Sequence, residues 1–261
     1  MTVGNLLARG MLVGLLAGIL SFCFLKIYGE PAVERAIAFE TQWDEAKAKA
    51  SHDEAVAKGL PAPVDTPEPE LVSRPVQAGI GLFTGVAVYN VAFGGLFALV
   101  YALAYGRMGA FGPRATAALI ALSGIVAVYV VPNLKYPANP PSVGDAATIG
   151  LRTKLYFAMI AFSLAAMIGA WMLRNRLVRP LGEWNAALTA AAAYVVAVAA
   201  IGLALPAVNE APEAFPAVVL WQFRVASLGA QAIMWTTIGV AFGALTERAQ
   251  TLGRAARLRA V

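Results

Sequence analysis

Long apolar stretches alternate with short polar segments along this chain, and each apolar stretch is close in length to a membrane-crossing helix. Six such stretches are present, at about residues 6–28, 78–105, 115–131, 155–173, 186–205 and 218–245. A helix needs roughly 20 apolar residues to cross a hydrocarbon layer of ~30 Å. The pattern therefore predicts an all-α polytopic membrane protein, a bundle of six transmembrane helices in a single domain over residues 1–261.

The segment between the first two stretches predicts a helix of its own. Residues 31–58 begin with a proline, contain no other proline or glycine, and carry acid–base pairs at helical i,i+4 spacing. We predict a surface helix over about 31–58, then an extended proline-rich connector over 60–76. One face of the helix carries the acids Glu30, Glu34, Glu40 and Asp44. This face is either a stripe that attracts cations or an ordinary solvated surface.

Charge is divided unevenly between the two sets of polar gaps. One set, with both termini, carries ten arginines and only two acids: Arg9, Arg107, Arg114, Arg174, Arg176, Arg179, Arg248, Arg254, Arg257 and Arg259 against Glu183 and Glu247. Segments rich in Lys and Arg stay cytoplasmic. We therefore predict a bacterial inner-membrane protein with both termini cytoplasmic and the segments around 29–77, 132–154 and 206–217 outside. Basic residues beside anionic lipid explain the pI near 9.5 without nucleic acid.

Composition narrows the chemistry. Charged residues make up 13% of the chain, against about 25% in ordinary soluble domains. The first apolar run is long and lacks a small-residue cleavage site, so we expect it to remain as the first helix. Only His52 and Cys23 offer the imidazole or thiolate that transition metals prefer, and no ligand cluster forms. No P-loop and no hydrolase motif is present, so we expect neither ATP binding nor enzymatic activity.

Glycines at four-residue spacing predict where helices approach each other closely. They occur as Gly10/Gly14/Gly18, Gly81/Gly85 and Gly239/Gly243. Such faces are typical of helix–helix contacts within a bundle or between copies in an oligomer. A glycine-lined pore is the functional alternative.

Arg224 is the charge that lies deepest in an apolar stretch, about seven residues into the sixth. An unpaired charge at that depth costs about 2–3 kcal/mol. We predict an acidic partner among Glu30, Asp145, Glu210 and Glu213, with Arg224 either clamping the exterior loops or gating a substrate. The other intramembrane polar groups are predicted to form interhelical hydrogen bonds: Asn90, Gln231 and Thr236.

Three groups of residues outside the apolar cores carry a family resemblance. They are Gly29-Glu30-Pro31 with Glu40, then Leu134-Lys135-Tyr136-Pro137-Ala138-Asn139-Pro140-Pro141 with Gly144-Asp145 and Arg152-Thr153, then Asn209-Glu210 with Phe215-Pro216-Ala217 and Phe223-Arg224. Through them the chain resembles the CbtA family of cobalt transporter subunits over nearly its whole length. The resemblance implies cobalt uptake and a small single-span companion, CbtB, whose histidine-rich tail would supply imidazoles. It also implies five spans rather than six, and it assigns no metal ligand.

All three groups fall on the predicted exterior side, which suggests a shared site. We hypothesise an outer vestibule where carboxylates concentrate a hydrated divalent cation while Lys135 and Arg224 hold the loops. Its candidates are Glu30, Glu40, Lys135, Tyr136, Asn139, Asp145, Arg152, Glu210 and Arg224. A salt-bridged lid without a ligand explains the same residues. We predict the permease component of a divalent transition-metal uptake system, with cobalt as the candidate substrate; the alternative is a non-transporting scaffold or accessory subunit.

Overall fold

The computed structural model describes residues 2–59, 72–141, 143–144, 146–208 and 211–259, and every regular element in them is helical. The α-helices are α1 Val3–Phe24, α2 Glu30–Ala57, α3 Arg74–Val76, α4 Leu82–Ala104, α5 Pro113–Gly124, α6 Val131–Lys135, α7 Ile149–Ala204 and α8 Ala217–Arg259. Three π-helical turns, Leu25–Gly29, Gln77–Gly81 and Ile125–Val130, join neighbouring helices without a break. The predicted all-α fold is confirmed for these residues.

Five continuous helical stretches in the described part of the chain are long and apolar enough to cross a membrane. They are Val3–Ala57, Arg74–Ala104, Pro113–Lys135, Ile149–Ala204 and Ala217–Gly253. This is one fewer than the six predicted from hydropathy. The difference arises because the predicted spans 155–173 and 186–205 both lie within α7, which counts as one stretch although its backbone is kinked at Gly182 in the polar gap between them.

α7 is nevertheless bent back on itself. Gly182 has φ 73° and ψ 169°, far from helical values, and follows Pro180 by two residues. Glycine tolerates positive φ because it has no Cβ, and proline removes a backbone donor. The hydroxyls of Ser163 and Tyr194, 31 residues apart in sequence, lie 2.8 Å from each other. A straight helix would separate them by roughly 46 Å. α7 therefore consists of two arms, residues 149–181 and 183–204, that pack side by side.

The predicted surface helix over 31–58 corresponds to α2, but it is not a separate element. The π-helical turn Leu25–Gly29 joins α1 to α2 in one helical stretch of 55 residues. Pro31 lacks an N–H, and its ring crowds the carbonyl four residues earlier. The wider turn accommodates it, since the N–H of Glu30 donates to the carbonyl of Leu25, five residues back. Residues 60–71 of the predicted connector lie outside the described residues.

Two of the three predicted glycine faces are confirmed. α1 packs along α4 so closely that a Cβ on Gly10 would collide with the carbonyl oxygen of Gly94. A Cβ on Gly243 would lie 3.0 Å from the Cα of Arg114 in α5. Gly81 and Gly85 do not form such a contact within the chain, because a Cβ on Gly85 would meet nothing within 4 Å, and a contact of this face between copies stays a prediction. The confirmed faces are used inside the chain, between α1 and α4 and between α5 and α8.

The bundle has two chemically different ends. At one, the arginine-rich end, four hydrogen bonds or ion pairs tie together the segments predicted to be cytoplasmic: Arg9 to Thr246 (3.0 Å), Arg114 to Glu247 (2.6 Å), Arg174 to the Met108 carbonyl (3.2 Å) and Asn175 to the Arg107 carbonyl (3.0 Å). At the opposite, proline-rich end, the N-terminal part of α2 packs with the segment after α6 and the start of α8. The grouping of polar segments inferred from charge is thus reproduced by the packing.

Candidate functional site

Arg224 holds the proline-rich segment after α6 against α8. Its Nε donates to the carbonyl of Ala138 at 3.1 Å, and its Nη2 donates to the side-chain carbonyl of Asn139 at 2.9 Å. In the described part of the chain these acceptors are a carbonyl and an amide, where a carboxylate had been predicted. Both bonds are charge-assisted, so these two neutral oxygens partly compensate the guanidinium. The arrangement is that of a clamp.

Tyr136 fixes the same segment from its other side. Its hydroxyl donates to the carbonyl of Pro206 at 2.8 Å, which joins the segment after α6 to the one between α7 and α8. Burial raises the pKa of the Tyr136 phenol, so this donor keeps its proton. The Lys135 ammonium lies 6.0 Å from the centre of the Tyr136 ring, within range of a cation–π contact.

These side chains border a cavity of about 520 Å³ at the proline-rich end. Four of the nine predicted vestibule residues line it: Tyr136, Asn139, Arg152 and Arg224. The rest of the described wall is formed by Pro137, Val143, Ile149, Thr153, Tyr156, Phe157 and Val208. The guanidinium of Arg152 lies against Gly144, which has a φ of 123°, and a Cβ there would collide with Nη1 of Arg152. The described lining thus contains two positive charges and no carboxylate.

The predicted acids are distributed over different places. Glu30 is buried, with 8% of its surface exposed, and pairs with Arg74 of α3. Glu40 is exposed on α2, and neither Glu30 nor Glu40 lines the cavity. Asp145 and Glu210 lie outside the described residues. In sequence each follows a cavity-lining valine, Val143 or Val208, by two positions.

The sequence did not identify Arg74 as the partner of Glu30. Charge counting placed it on the same side as Glu30, but 44 residues separate the two. Arg74 and Glu30 become partners because α3 packs beside the first turn of α2. The Nε of Arg74 is buried without a hydrogen-bond partner among the described residues, so most of its compensation comes from Glu30.

A row of polar side chains begins at Arg224, in the cavity wall, and follows one face of α8. Arg224, Ser227 and Gln231 follow each other at helical spacings of three and four. Ser227 shares a 2.7 Å hydrogen bond with Tyr129, and Gln231 interacts with the side chain of Tyr89 in α4. The tyrosines were missed because each lies alone in an apolar run.

The polar row ends at an aromatic pair. Phe93 and Trp235, one turn further along α4 and α8, meet edge to face with their centroids 5.9 Å apart. Of the predicted interhelical hydrogen bonds, that of Gln231 agrees with the structure. Asn90 instead donates to Val86 of its own helix at 2.8 Å, and Thr236 lies exposed on the other side of α8, so both of those predictions are wrong.

Preformed metal ligation is absent from the part of the chain that the structure describes. No group of three or more His, Cys, Asp or Glu side chains is positioned to hold an ion there. His52 and Cys23 are both exposed and lie on different parts of the first long helix. Beyond Arg224 the polar row offers hydroxyl and amide oxygens, which are ligands for hard cations rather than the imidazole and thiolate that transition metals favour.

Comparison with known proteins gives a family match over almost the entire chain. Residues 3–247 match the family described as "Probable cobalt transporter subunit (CbtA)". No curated protein and no solved structure matches the chain. The resemblance drawn from the loop motifs is therefore confirmed by a match that includes all five candidate membrane-crossing stretches almost completely.

Proposed function

Since the chain belongs to the CbtA family of probable cobalt transporter subunits, we propose that it is the membrane-spanning permease subunit of a divalent transition-metal uptake system, with cobalt as its substrate. Membership establishes a transporter subunit. The step from subunit to permease rests on one observation: a cavity at the proline-rich end has Arg224 in its wall, and hydroxyl and amide groups follow Arg224 along α8 inside the bundle.

The cavity has the size and polarity to receive a hydrated ion. Water occupies about 30 Å³ per molecule in the liquid, so the volume of about 520 Å³ accommodates a cation with its first hydration shell. The oxygens of Tyr129, Ser227 and Gln231 then offer replacement ligands along α8. Such exchange of water for protein oxygens is how selective pores accept ions. A tightly packed apolar bundle, as a pure scaffold would use, needs no such row.

A cation in this cavity requires negative charge to offset Arg152 and Arg224. We infer that Asp145 and Glu210 supply it, because each belongs to a chain segment that reaches the cavity two residues earlier. Imidazole ligands, which cobalt prefers, come in this proposal from a small histidine-bearing companion subunit. The vestibule hypothesis thereby keeps six of its nine candidates, the four that line the cavity and these two acids, and gives Glu30 a structural role beside Arg74.

The proposed orientation is six crossings with both termini in the cytoplasm. Its support is the fold-back of α7 at Gly182, which returns the second arm toward the proline-rich end, where Tyr136 meets Pro206. Single cysteines at three positions, in a Cys23→Ser background, test it with a membrane-impermeant maleimide on intact cells. We expect His52→Cys and Ala207→Cys to be labelled and Glu183→Cys to be protected until permeabilisation. Protection of Ala207→Cys would mean that α7 crosses only once.

Cobalt uptake tests the permease role and the carboxylates together. Radiolabelled cobalt entering liposomes is measured with this chain alone and with its companion, for the wild type and for the double variant Asp145→Asn, Glu210→Gln. We expect initial uptake at low cobalt to fall about tenfold, since fields focused in a cleft raise capture rates by that order or more. The matched control is Asp53→Asn, an exposed acid on α2 outside the acidic face, which should leave uptake unchanged.

The outcomes separate the two parts of the proposal. Uptake by the wild type that the double variant retains in full would remove the carboxylate vestibule. Absence of uptake by well-folded wild-type protein, with and without the companion, would remove the permease role and leave the scaffold as the better description.

A further inference from the structure

A second cavity, of about 760 Å³, lies toward the arginine-rich end between α4, α5 and the first arm of α7. Most of its wall is aliphatic or aromatic, including Leu96 and Val100 of α4, Leu164 and Ile168 of α7, and Trp235 of α8. Ser123, one of its few polar members, already accepts a hydrogen bond from Trp171 at 3.1 Å. An ion here would lose its hydration without replacement ligands. The cavity is therefore no continuation of the polar row.

The mouth of this cavity is basic. Arg107 lines it, and Asn175 fixes the backbone there by donating to the Arg107 carbonyl at 3.0 Å. Arg174 donates to the Met108 carbonyl at 3.2 Å, and its guanidinium lies 5.4 Å from the centre of the Phe111 ring. The apolar walls match the chemistry of an acyl chain, and the two guanidinium groups at the mouth match that of a phosphate headgroup.

We propose that this cavity binds an acyl chain of an anionic phospholipid, with the phosphate at Arg107 and Arg174. The wall is open to surrounding lipid, since Leu96 is 56% and Ile168 61% exposed. The occupant is a lipid rather than the helix of a partner subunit, because a membrane-crossing helix about 10 Å wide and 30 Å long displaces several times the available volume. The proposal does not depend on transport activity.

Native mass spectrometry of the purified protein tests it, with phosphatidylglycerol or phosphatidylcholine of identical acyl chains added in equal amounts. We expect the wild type to retain phosphatidylglycerol at least about fivefold more than phosphatidylcholine, since one basic residue near a membrane surface provides that preference and the proposed site has two. Arg107→Gln should lower that preference, and Leu164→Trp, which fills the cavity, should lower retention of both lipids. Thermal unfolding of each variant shows whether the fold is intact.

Two control variants distinguish the effect of the arginine charge from the effect of the cavity volume. Arg248→Gln removes an exposed arginine at the same end that does not line the cavity, so the phosphatidylglycerol preference should persist. Leu203→Trp enlarges a side chain that is 88% exposed, so retention should not change. Equal retention of the two lipids by the wild type, or full retention by folded Leu164→Trp, would overturn the proposal, as would capture of a small membrane protein at this cavity in place of lipid.

Discussion

Replacing Gly94 with leucine is expected to prevent accumulation of folded protein in the membrane. A Cβ at this position would collide with the carbonyl oxygen of Gly10 and lie 3.0 Å from the Cα of Gly14. Both neighbours are backbone atoms of α1, so no change of rotamer relieves the collision. The collision can be relieved only by moving α1 away from α4. That movement separates Val13, Ala17 and Phe97 from their neighbours in the core.

The expected loss exceeds the 1–3 kcal/mol typical of an overpacked core, because two helix backbones have to move. Fluorescence-detected size-exclusion chromatography of detergent extracts measures this loss of folding stability as a decrease in the monodisperse peak. Gly85→Leu is the matched control: the same substitution in the same helix, at a position where a Cβ meets nothing within 4 Å. A normal peak for Gly94→Leu would show that the α1–α4 contact is not required for folding.

The glycine pattern illustrates how far the sequence leads. Four-residue spacing correctly identified the faces of Gly10 and Gly243, yet Gly81 and Gly85 have the same spacing and meet no neighbouring helix. Spacing records that small residues share a face, whereas the direction of that face depends on how α4 is placed in the bundle. Gly94, the tightest partner of α1 in α4, lies next to another glycine and repeats no four-residue pattern there.

Helix boundaries show a second limit of the same kind. Hydropathy separated residues 155–173 from 186–205, because the intervening residues carry four charges, but it gave no sign that helical structure extends into this polar gap from both sides. The backbone leaves helical dihedral angles at Gly182, so the boundary between the two arms of α7 lies at this residue. Likewise, Pro31 was expected to start a helix, and the π-helical turn before it allowed α1 to run on into α2.

The candidate site was predictable in its location and less so in its contacts. Counting arginines grouped the proline-rich segments at one end, and the depth of Arg224 identified it as a residue needing compensation. A charge suggests an opposite charge as partner, yet a guanidinium with five donors can be satisfied by carbonyl and amide oxygens. Those acceptors, Ala138 and Asn139, carry no signal of their own in the sequence, since their position depends on the path of the loop.

Substituting Arg224 with glutamine is expected to free the segment after α6 and to reduce cobalt uptake about tenfold or more. Each hydrogen bond to a charged group contributes about 1.5–3 kcal/mol, and the shorter amide cannot reach Ala138 and Asn139 together. Arg224→Lys should restore little, because an ammonium keeps the charge without the planar fork. Hydrogen–deuterium exchange of residues 133–141 measures the release, and radiolabelled cobalt uptake measures its consequence.

Arg35→Gln is the control for loss of a positive charge at the same end, because Arg35 is exposed and, among the described residues, donates only to the Pro31 carbonyl of its own helix. Unchanged exchange in Arg224→Gln would show that the clamp does not order the segment. Faster exchange with unchanged uptake would show that an ordered cavity wall is unnecessary for transport. The expected combination is faster exchange with lost uptake. Because the guanidinium repels a cation, Arg224 cannot act as a ligand, and this result would mean that it acts by maintaining the shape of the cavity wall that the cation meets.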